Sequence, residues 1–144
     1  MFTSALMCLA TAIYFEARNQ DLQGQLAVAQ VVLERARDPR YPNTVCGVVT
    51  AGGENRHRCA FSFYCDGLSD TPIDERAFLV ARWIASGAMG GFLSDVTGYA
   101  THYHAYYVRP DWALSMRPTV IIGDHIFYRD IPLGEDHGPW DTWE

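Results

Sequence analysis

Residues 4–18 have the sequence SALMCLATAIYFEAR, and their pattern predicts the central element of the core. Ser4 can cap a helix that runs to about Arg18, because a serine side chain accepts a hydrogen bond from an N–H group of the first helical turn. Apolar residues follow at the three-and-four spacing of one helical face; they are Leu6, Leu9 and Ile13. Glu16 continues that series. The sequence therefore predicts a core helix that carries a carboxylate on its buried face, near the helix end.

The whole chain has 144 residues and a formal net charge of −6. Its length and its 49% hydrophobic content predict a single globular domain over residues 1–144. The acidic charge argues against nucleic acid and against an anionic lipid surface, since both need clustered Lys and Arg. One short basic cluster is present, at residues 56–58. A neutral sugar polymer or a peptide is compatible with this charge, and we expect a monomer.

The apolar run at residues 1–15 is similar to a signal peptide, but it lacks the basic segment that precedes one. Glu16 and Arg18 lie where a cleavage site would be expected, and the run is too short to span a membrane. We therefore interpret it as the first core helix and expect no stable membrane insertion. A chain of this kind that acts outside the cytoplasm would have to be delivered by other means.

Further helices follow from their own start and stop signals. A second helix is predicted over Leu22–Arg37, a short one over Val45–Thr50, and a third long one, capped by Asp74, over Glu75–Met89. The second helix has a predicted core face that consists of Leu26, Ala29 or Gln30, and Leu33. Residues 51–74 are predicted to be mostly loop.

The last third of the chain changes character. Residues 119–122 and 125–128 are rich in β-branched and aromatic side chains, and they flank Gly123-Asp124, which predicts a hairpin. Residues 100–107 can add a third strand. The predicted fold class is therefore α+β, mainly helical, with a small antiparallel β-sheet in the C-terminal third.

Four cysteines are present, and they permit three fully paired connectivities. Cys59 and Cys65 bracket a short loop, so a disulfide between them is compatible with an oxidising compartment. Cys8 lies in the first helix, where we expect it to pack as a small apolar residue. The chain lacks the matched pairs of closely spaced ligands that are typical of a zinc site, so no metal is expected.

Glu16 is the candidate catalytic residue. Burial on an apolar face disfavours the charged form of a carboxyl group, which suits a general acid near neutral pH. The alternative is a structural glutamate that pairs with Arg18 or another arginine. A glycoside hydrolase usually needs a second carboxylate. The candidates for it each lie in a predicted loop; they are Asp66, Asp70 and Asp95.

Several blocks of sequence, in a fixed order, carry a resemblance to a known family. They are YFEAR at 14–18, GQLAVA at 24–29, VLER at 32–35, PNTVCGVV at 42–49, FSFYCDG at 61–67, ATHYH at 100–104 and IGDHIFY at 122–128. In these blocks the chain resembles the SleB-type cell wall hydrolase family, known from spore-cortex lysis and from bacterial and phage lysins. The resemblance implies a lysozyme-like, lytic-transglycosylase-type domain with Glu16 as the catalytic acid.

The resemblance also implies a substrate, the glycan strand of peptidoglycan, cleaved at the MurNAc-β-1,4-GlcNAc bond. Two of the blocks would line the cleft, and their predicted substrate-binding residues are Phe61, Ser62, Tyr64, Thr101, His102 and Tyr103. No cofactor is expected. Two positions depart from the family pattern: Ala60 stands where glutamine is frequent, and His104 stands where tyrosine or asparagine is frequent.

One carboxylate suffices for a lytic transglycosylase. Glu16 would protonate the leaving oxygen and then act as a base, while the C6 hydroxyl of the substrate closes a 1,6-anhydro ring. The lack of an obvious second carboxylate favours this reaction over hydrolysis. We expect a lysin that acts on the cell wall, in the manner of a phage endolysin that stays in the cytoplasm until a holin-type lesion releases it. A bacterial remodelling enzyme is the alternative setting.

Two other functions compete with this interpretation. His102 and His104 would lie on the same side of a strand, where they could hold the metal of a metal-dependent cell-wall hydrolase. A non-catalytic glycan-binding module would instead use the aromatic side chains and leave Glu16 idle.

Overall fold

A computed structural model describes residues 4–54 and 58–131, and its helices begin and end close to the predicted positions. The α-helices are α1 Ala5–Ala17, α2 Leu22–Arg37, α3 Val45–Val49 and α4 Glu75–Met89. A side-chain oxygen before each helix accepts a hydrogen bond from the first turn; the capping residues are Ser4, Asp21, Thr44 and Asp74. Short 3-10 helices occupy Ser62–Cys65 and Asp111–Ser115.

The helix α1 lies at the centre of the core. Every residue from Cys8 to Tyr14 is buried, on all sides of the helix. The reason is that α1 packs against α2, α3 and α4 at once. Leu9 and Ile13 are fully buried, as predicted. The buried surface of α1 is wider than the single predicted face, however, because residues on its other sides are also enclosed. Glu16 lies one residue before the helix end and is partly buried, between the partly buried Phe15 and the fully buried Ala17.

The helix α2 is packed on two sides, and its predicted core face is confirmed only at Ala29 and Gln30, which are buried. Leu26 and Leu33 are only partly buried. Val32 is fully buried in the cluster that contains α1, whereas Ala27 and Val31 are fully buried in a second cluster that contains the sheet. A helix between two layers is apolar on two faces, so a single stripe of apolar residues does not describe it.

The three strands are β1 His102–Ala105, β2 Arg117–Ile122 and β3 His125–Arg129, and they form an antiparallel sheet with the order β1-β3-β2. The predicted hairpin is confirmed as β2 and β3. Gly123 lies in its turn at a φ of +57°, a conformation that glycine adopts without a steric penalty. The third strand, β1, is shorter than the predicted range of 100–107, and it lies at the edge of the sheet.

The sheet has an inner face toward α2 and an outer face. Phe127 joins Ala27 and Val31 of α2 in the second cluster, so its side of the sheet is the inner one. Tyr103 is the direct cross-strand neighbour of Phe127 and shares that face. Side chains alternate along a strand, so His104 lies on the outer face. Neighbouring residues of β1 therefore point in opposite directions.

Disulfides join the described cysteines in two pairs, Cys8–Cys46 and Cys59–Cys65. Cys8 is fully buried in the core, as predicted, but it is also covalently bonded to Cys46 of α3, which the sequence did not predict. These two cysteines are 38 residues apart in sequence, and the packing of α3 on α1 brings their Cα atoms to 5.3 Å. Spacing along the chain gives no sign of such a pair.

Two features of the sequence lie partly outside the described residues. The basic cluster at 56–58 is described only at Arg58, and the apolar run is described from residue 4 onward. Among the helices of the described residues, none has the length and apolarity that a membrane crossing requires.

Candidate active site

Glu16 lies in the last turn of α1, where a side chain from the sheet contacts its carboxylate. The Tyr103 hydroxyl donates a hydrogen bond to Glu16 Oε1 at 2.5 Å. Tyr103 belongs to β1 and stands 87 residues further along the chain. The contact therefore joins the helical part of the molecule to the inner face of the sheet, and we place the candidate active site at this junction.

The protonation of Glu16 is set by opposing influences. Burial raises the pKa of Glu16 above its ordinary value, while the hydrogen bond from Tyr103 and the positive charge of Arg35 act in the opposite direction. Burial prevails, because removing the charged form from water costs more free energy than Tyr103 and Arg35 contribute by stabilising that form. A larger fraction of this carboxyl group is thus protonated near neutral pH than in an exposed glutamate. Such a group can donate a proton to a leaving oxygen.

Tyr103 remains a hydrogen-bond donor at any pH near neutrality. Burial, followed by the negative charge of Glu16, holds the pKa of the Tyr103 hydroxyl well above its ordinary value. The ring packs against Phe127 and His125, with centroid distances of 5.6 and 5.0 Å. This packing fixes the hydroxyl, which can stabilise the ionised form of Glu16 without ionising itself.

Arg35 supplies the positive charge near Glu16, and the sequence interpretation did not single it out. It projects from α2, and its Nε donates a hydrogen bond to the carbonyl oxygen of Thr101 at 2.6 Å. Its guanidinium carbon lies 5.3 Å from the ring centroid of Tyr41 and 5.6 Å from that of Phe61. One of the family-like blocks contains Arg35, but nothing local in the sequence indicates that its charge acts on the Glu16 carboxyl group.

If Glu16 had only a structural role, Arg18 was a candidate partner for its carboxylate. In the structure, Arg18 contacts Tyr14 instead. Its Nη1 donates a hydrogen bond to the Tyr14 carbonyl at 3.2 Å, and its guanidinium carbon lies 4.6 Å from the Tyr14 ring centroid. The Tyr14 hydroxyl in turn accepts a hydrogen bond from the backbone N–H of Asp74 at 3.0 Å. Arg18 and Tyr14 therefore fix the end of α1 and leave the carboxylate to Tyr103.

The predicted residues of the loop after α3 divide into buried and exposed ones. Phe61 is 2% exposed, whereas Ser62 and Tyr64 lie at the surface of the 3-10 helix. Between them, Phe63 stacks on Phe15 with the ring centroids 4.9 Å apart. This stack attaches the loop to α1 next to the carboxylate. Ser62 and Tyr64 are thus accessible to a ligand, while Phe61 supports the loop from below.

The predicted residues near β1 point in different directions. Thr101 is buried, and its Oγ1 lies 2.9 Å from Nδ1 of His102. His102 contacts Trp112 with the ring centroids 5.0 Å apart. Burial is the main cause that lowers the pKa of His102 to about 4, so the ring is neutral at pH 7. Of the three residues, Tyr103 is the one that contacts Glu16.

The histidines of β1 are engaged in hydrogen bonds rather than arranged as metal ligands. His104 Nδ1 donates to the carbonyl oxygen of Ala105 at 2.8 Å, and its Nε2 lies 2.8 Å from the Tyr128 hydroxyl. Both nitrogens of that ring are therefore in use. In the part of the chain that the structure describes, no group of three or more His, Cys, Asp or Glu side chains could hold a metal ion. The donor sets thus do not favour the metal-dependent alternative.

The aspartates considered as a second carboxylate have local roles. Asp66 accepts a hydrogen bond from a backbone N–H of its own loop at 2.9 Å, and Asp95 accepts two, at 2.7 and 3.0 Å. Burial, followed by the negative charge of Asp66, raises the pKa of Asp70. Within residues 4–54 and 58–131, none of the three is among the groups that shift the pKa of Glu16.

The arrangement of helices and sheet is that of a lysozyme-like domain of the lytic-transglycosylase type. The catalytic domain of the germination-specific lytic transglycosylase SleB from Bacillus anthracis matches it with a TM-score of 0.71 and 30% identity, over 90% of this chain and 97% of that one. The catalytic domain of SleB from Bacillus cereus matches with a TM-score of 0.69 and 32% identity, over 87% of this chain and 89% of that one. The predicted fold class is confirmed.

The chain belongs to the Cell Wall Hydrolase family, whose pattern matches residues 19–128. The spore cortex-lytic enzyme of Halalkalibacterium halodurans is 36% identical over 127 residues, which cover 85% of this chain and 34% of that enzyme. The spore cortex-lytic enzyme of Bacillus subtilis is 36% identical over 124 residues, which cover 83% of this chain and 35% of that enzyme. The chain thus spans about a third of the length of these relatives. The family inferred from the sequence blocks is confirmed. Since its pattern begins after Glu16, the role of that residue rests on the geometry above.

Proposed function

We propose that this domain cleaves the glycan strand of peptidoglycan, with Glu16 as both general acid and general base. The observation that carries the proposal is the partly buried Glu16 carboxyl group, whose Oε1 is held by Tyr103 and whose pKa burial raises. Membership of the Cell Wall Hydrolase family supports it. The similarity of its fold to that of a lytic transglycosylase also supports it. So does the 36% sequence identity to a spore cortex-lytic enzyme.

In the first step, Glu16 donates its proton to the glycosidic oxygen between MurNAc and GlcNAc. The bond from C1 of MurNAc to that oxygen breaks with its electron pair on the oxygen, so GlcNAc leaves with the proton as its free 4-hydroxyl and C1 of MurNAc is left positively charged. General-acid catalysis of this kind contributes typically about 10²–10⁴ in rate. Glu16 is left as a carboxylate, which the Tyr103 hydroxyl and the charge of Arg35 stabilise.

In the second step, the Glu16 carboxylate accepts the proton of the C6 hydroxyl of MurNAc while O6 forms a bond to C1. This closes a 1,6-anhydro ring and returns Glu16 to its protonated form, so atoms and charges balance over the cycle. Hydrolysis would differ in that water takes the place of the C6 hydroxyl. Mass spectrometry of the products separates the two reactions, because a transglycosylase releases anhydro-muropeptides and a hydrolase releases reducing ends.

Glu16→Gln tests the proposal, because it preserves the shape of the side chain and removes the proton donor. We expect the release of soluble fragments from purified peptidoglycan to slow by about 10²–10⁴. Glu34→Gln is the matched control, because burial also raises the pKa of Glu34 although its ion-pair partner is Arg37. The Glu34→Gln variant should keep the activity of the wild type. Full lysis by the Glu16→Gln variant would reject the assignment of Glu16, whereas wild-type protein that binds peptidoglycan without releasing fragments would favour a non-catalytic glycan-binding module.

We further propose that the domain acts outside the cytoplasm, since disulfides persist in oxidising compartments and the described cysteines are paired. The endolysin role stays a prediction. Cells that produce the chain in their cytoplasm should remain intact until a holin-type lesion opens the membrane, and their optical density should then fall. Lysis that is equally fast without the lesion would contradict that role.

A further inference from the structure

A groove with a volume of about 510 Å³ lies on the outer face of the sheet. Its lining includes His104 of β1 together with Ile126 and Tyr128 of β3, whose side chains alternate away from the helices. Residues from the segment 106–114 complete the lining. The volume is within the range of small-molecule binding sites. Glu16 lies on the other side of β1, so the groove is separate from the carboxylate.

A series of ring contacts leads from the candidate active site to the groove. Arg35, whose charge acts on Glu16, lies over Tyr41. The ring of Tyr41 is 6.3 Å from that of His102, which is 5.0 Å from that of Trp112, all between centroids. Trp112 then contacts two rings of the groove at 5.6 and 5.3 Å, those of His104 and Tyr128. β1 is an edge strand, so no other strand of the sheet covers its free side.

The groove combines fixed rings with accessible apolar side chains. His104 stacks on Tyr128 with an interplanar angle of 24°, and hydrogen bonds hold both of its nitrogens. Tyr106 is 63% exposed and Leu114 is 83% exposed. One part of the lining is therefore preorganised, and the other part offers an aromatic face and an apolar contact to a ligand.

Arg109 and Asp111 line the same groove and carry opposite charges. An arginine can donate hydrogen bonds to hydroxyl and carbonyl oxygens, and an aspartate can accept them from hydroxyl and amide groups. Because the two charges are opposite, the pair gives no net preference for a strongly acidic or a strongly basic ligand, and Arg109 can also accept a carboxylate such as that of MurNAc. A neutral N-acetylated sugar offers both kinds of polar group together with an apolar ring face, so it matches this lining better.

We propose that the groove binds sugar residues of the same glycan strand that is cleaved at Glu16. The inference rests on the proposed function, because it assigns a second stretch of that substrate. A strand that passes around the free edge of β1 contacts both the carboxylate and the groove. Binding in the groove then holds long strands in place during cleavage and contributes little to short ones.

Tyr106→Ala and Arg109→Ala test this inference, with Trp83→Ala as the matched control. Trp83 is 74% exposed on α4 and does not line the groove. The substrates are peptidoglycan glycan strands freed of stem peptides, in a long fraction and a tetrasaccharide fraction, together with long strands that keep their stem peptides. We expect the KM for long strands to rise about three- to tenfold in each groove variant, with little change in kcat. The control should keep the KM of the wild type, and Tyr106→Phe, which keeps the ring, should retain most of the affinity.

Three outcomes would overturn the inference: an unchanged KM for long strands, an equal loss on long and short fractions, or a loss confined to strands that keep their stem peptides. The last result would identify a peptide as the occupant. Sedimentation of long strands with the Glu16→Gln protein, with and without Tyr106→Ala, separates this question from the proposed function. Activity retained by Glu16→Gln rejects the proposed function, whereas strand binding that does not depend on Tyr106 rejects the groove.

Discussion

Tyr103→Phe should reveal how the protonation of Glu16 is controlled. The substitution removes one hydroxyl group and keeps the ring that packs on Phe127 and His125. Because Tyr103 donates to the carboxylate, its loss raises the pKa of Glu16 further, in addition to the effect of burial. Glu16 then stays protonated to higher pH, so the alkaline limb of the pH profile of kcat/KM should move to higher pH.

The magnitude follows from the kind of hydrogen bond that is lost. A hydrogen bond to a charged group contributes about 1.5–3 kcal/mol. Each 1.4 kcal/mol corresponds to about a tenfold change in an equilibrium. The ratio of protonated to ionised Glu16 at a given pH should therefore rise about 10- to 100-fold. The carboxylate formed after the first proton transfer loses the same stabilisation, so the maximal kcat should fall by a similar factor.

The assay is the initial rate of fragment release from purified peptidoglycan across a series of pH values. Tyr107→Phe is the control, since Tyr107 is largely exposed and its substitution also removes one hydroxyl. Thermal unfolding of each variant verifies that the fold is retained. An alkaline limb that stays in place in a folded Tyr103→Phe variant would refute the role of the hydrogen bond. A limb that moves to lower pH would show that the Tyr103 hydroxyl raises the pKa of Glu16 and does not lower it.

Three further predictions concern stability. The pKa of Glu16 is raised in the folded state, so stability is lost as pH rises from the ordinary glutamate range through the folded value. Glu16→Gln should therefore raise the thermal midpoint near pH 7, and this gain should shrink in acid; a gain that is the same at both pH values would contradict the reasoning. Replacing Cys8 and Cys46 by alanine should lower the free energy of unfolding by about 2–4 kcal/mol in urea titrations, because the bond closes a long loop; a loss well below about 1 kcal/mol would count against a constrained unfolded state. Gly123→Ala should cost about 1–2 kcal/mol, since φ is positive and the added Cβ would collide with Oε1 of Gln20. That cost should be smaller in a Gln20→Ala background, and a cost that does not change would show that the collision is unimportant.

The helices could be predicted because their signals are local. Ser4 and Asp74 each stand immediately before a helix and accept a hydrogen bond from its first turn, as their side chains permit. The same local signals did not identify the buried faces. Leu26 was predicted to lie in the core, but α2 packs between the helical cluster and the sheet, so its smaller residues are enclosed instead. Which faces are covered depends on the tertiary arrangement.

The candidate site could be predicted only in part, because distant segments form it. Glu16 follows from helical spacing and from the resemblance of its block, both of which are visible within a short stretch. Tyr103 was predicted to contact the substrate, and the structure places its hydroxyl on Glu16, 87 residues away in sequence. Arg35 was not predicted, since it reaches the site through the packing of α2 on the sheet. The pairing of Cys8 with Cys46 escaped prediction for the same reason.

The opposing influences on Glu16 suit a carboxyl group that must work in both directions. Burial alone would keep it protonated, which would help the first proton transfer but make it a poor base for the C6 hydroxyl. Tyr103 and Arg35 counteract burial by stabilising the ionised form, and the high pKa of Tyr103 ensures that this residue does not lose its own proton. An acid that is regenerated by its own second step needs this kind of balance more than it needs another carboxylate. The same balance explains why we expect Tyr103→Phe to slow the reaction although it makes Glu16 easier to protonate.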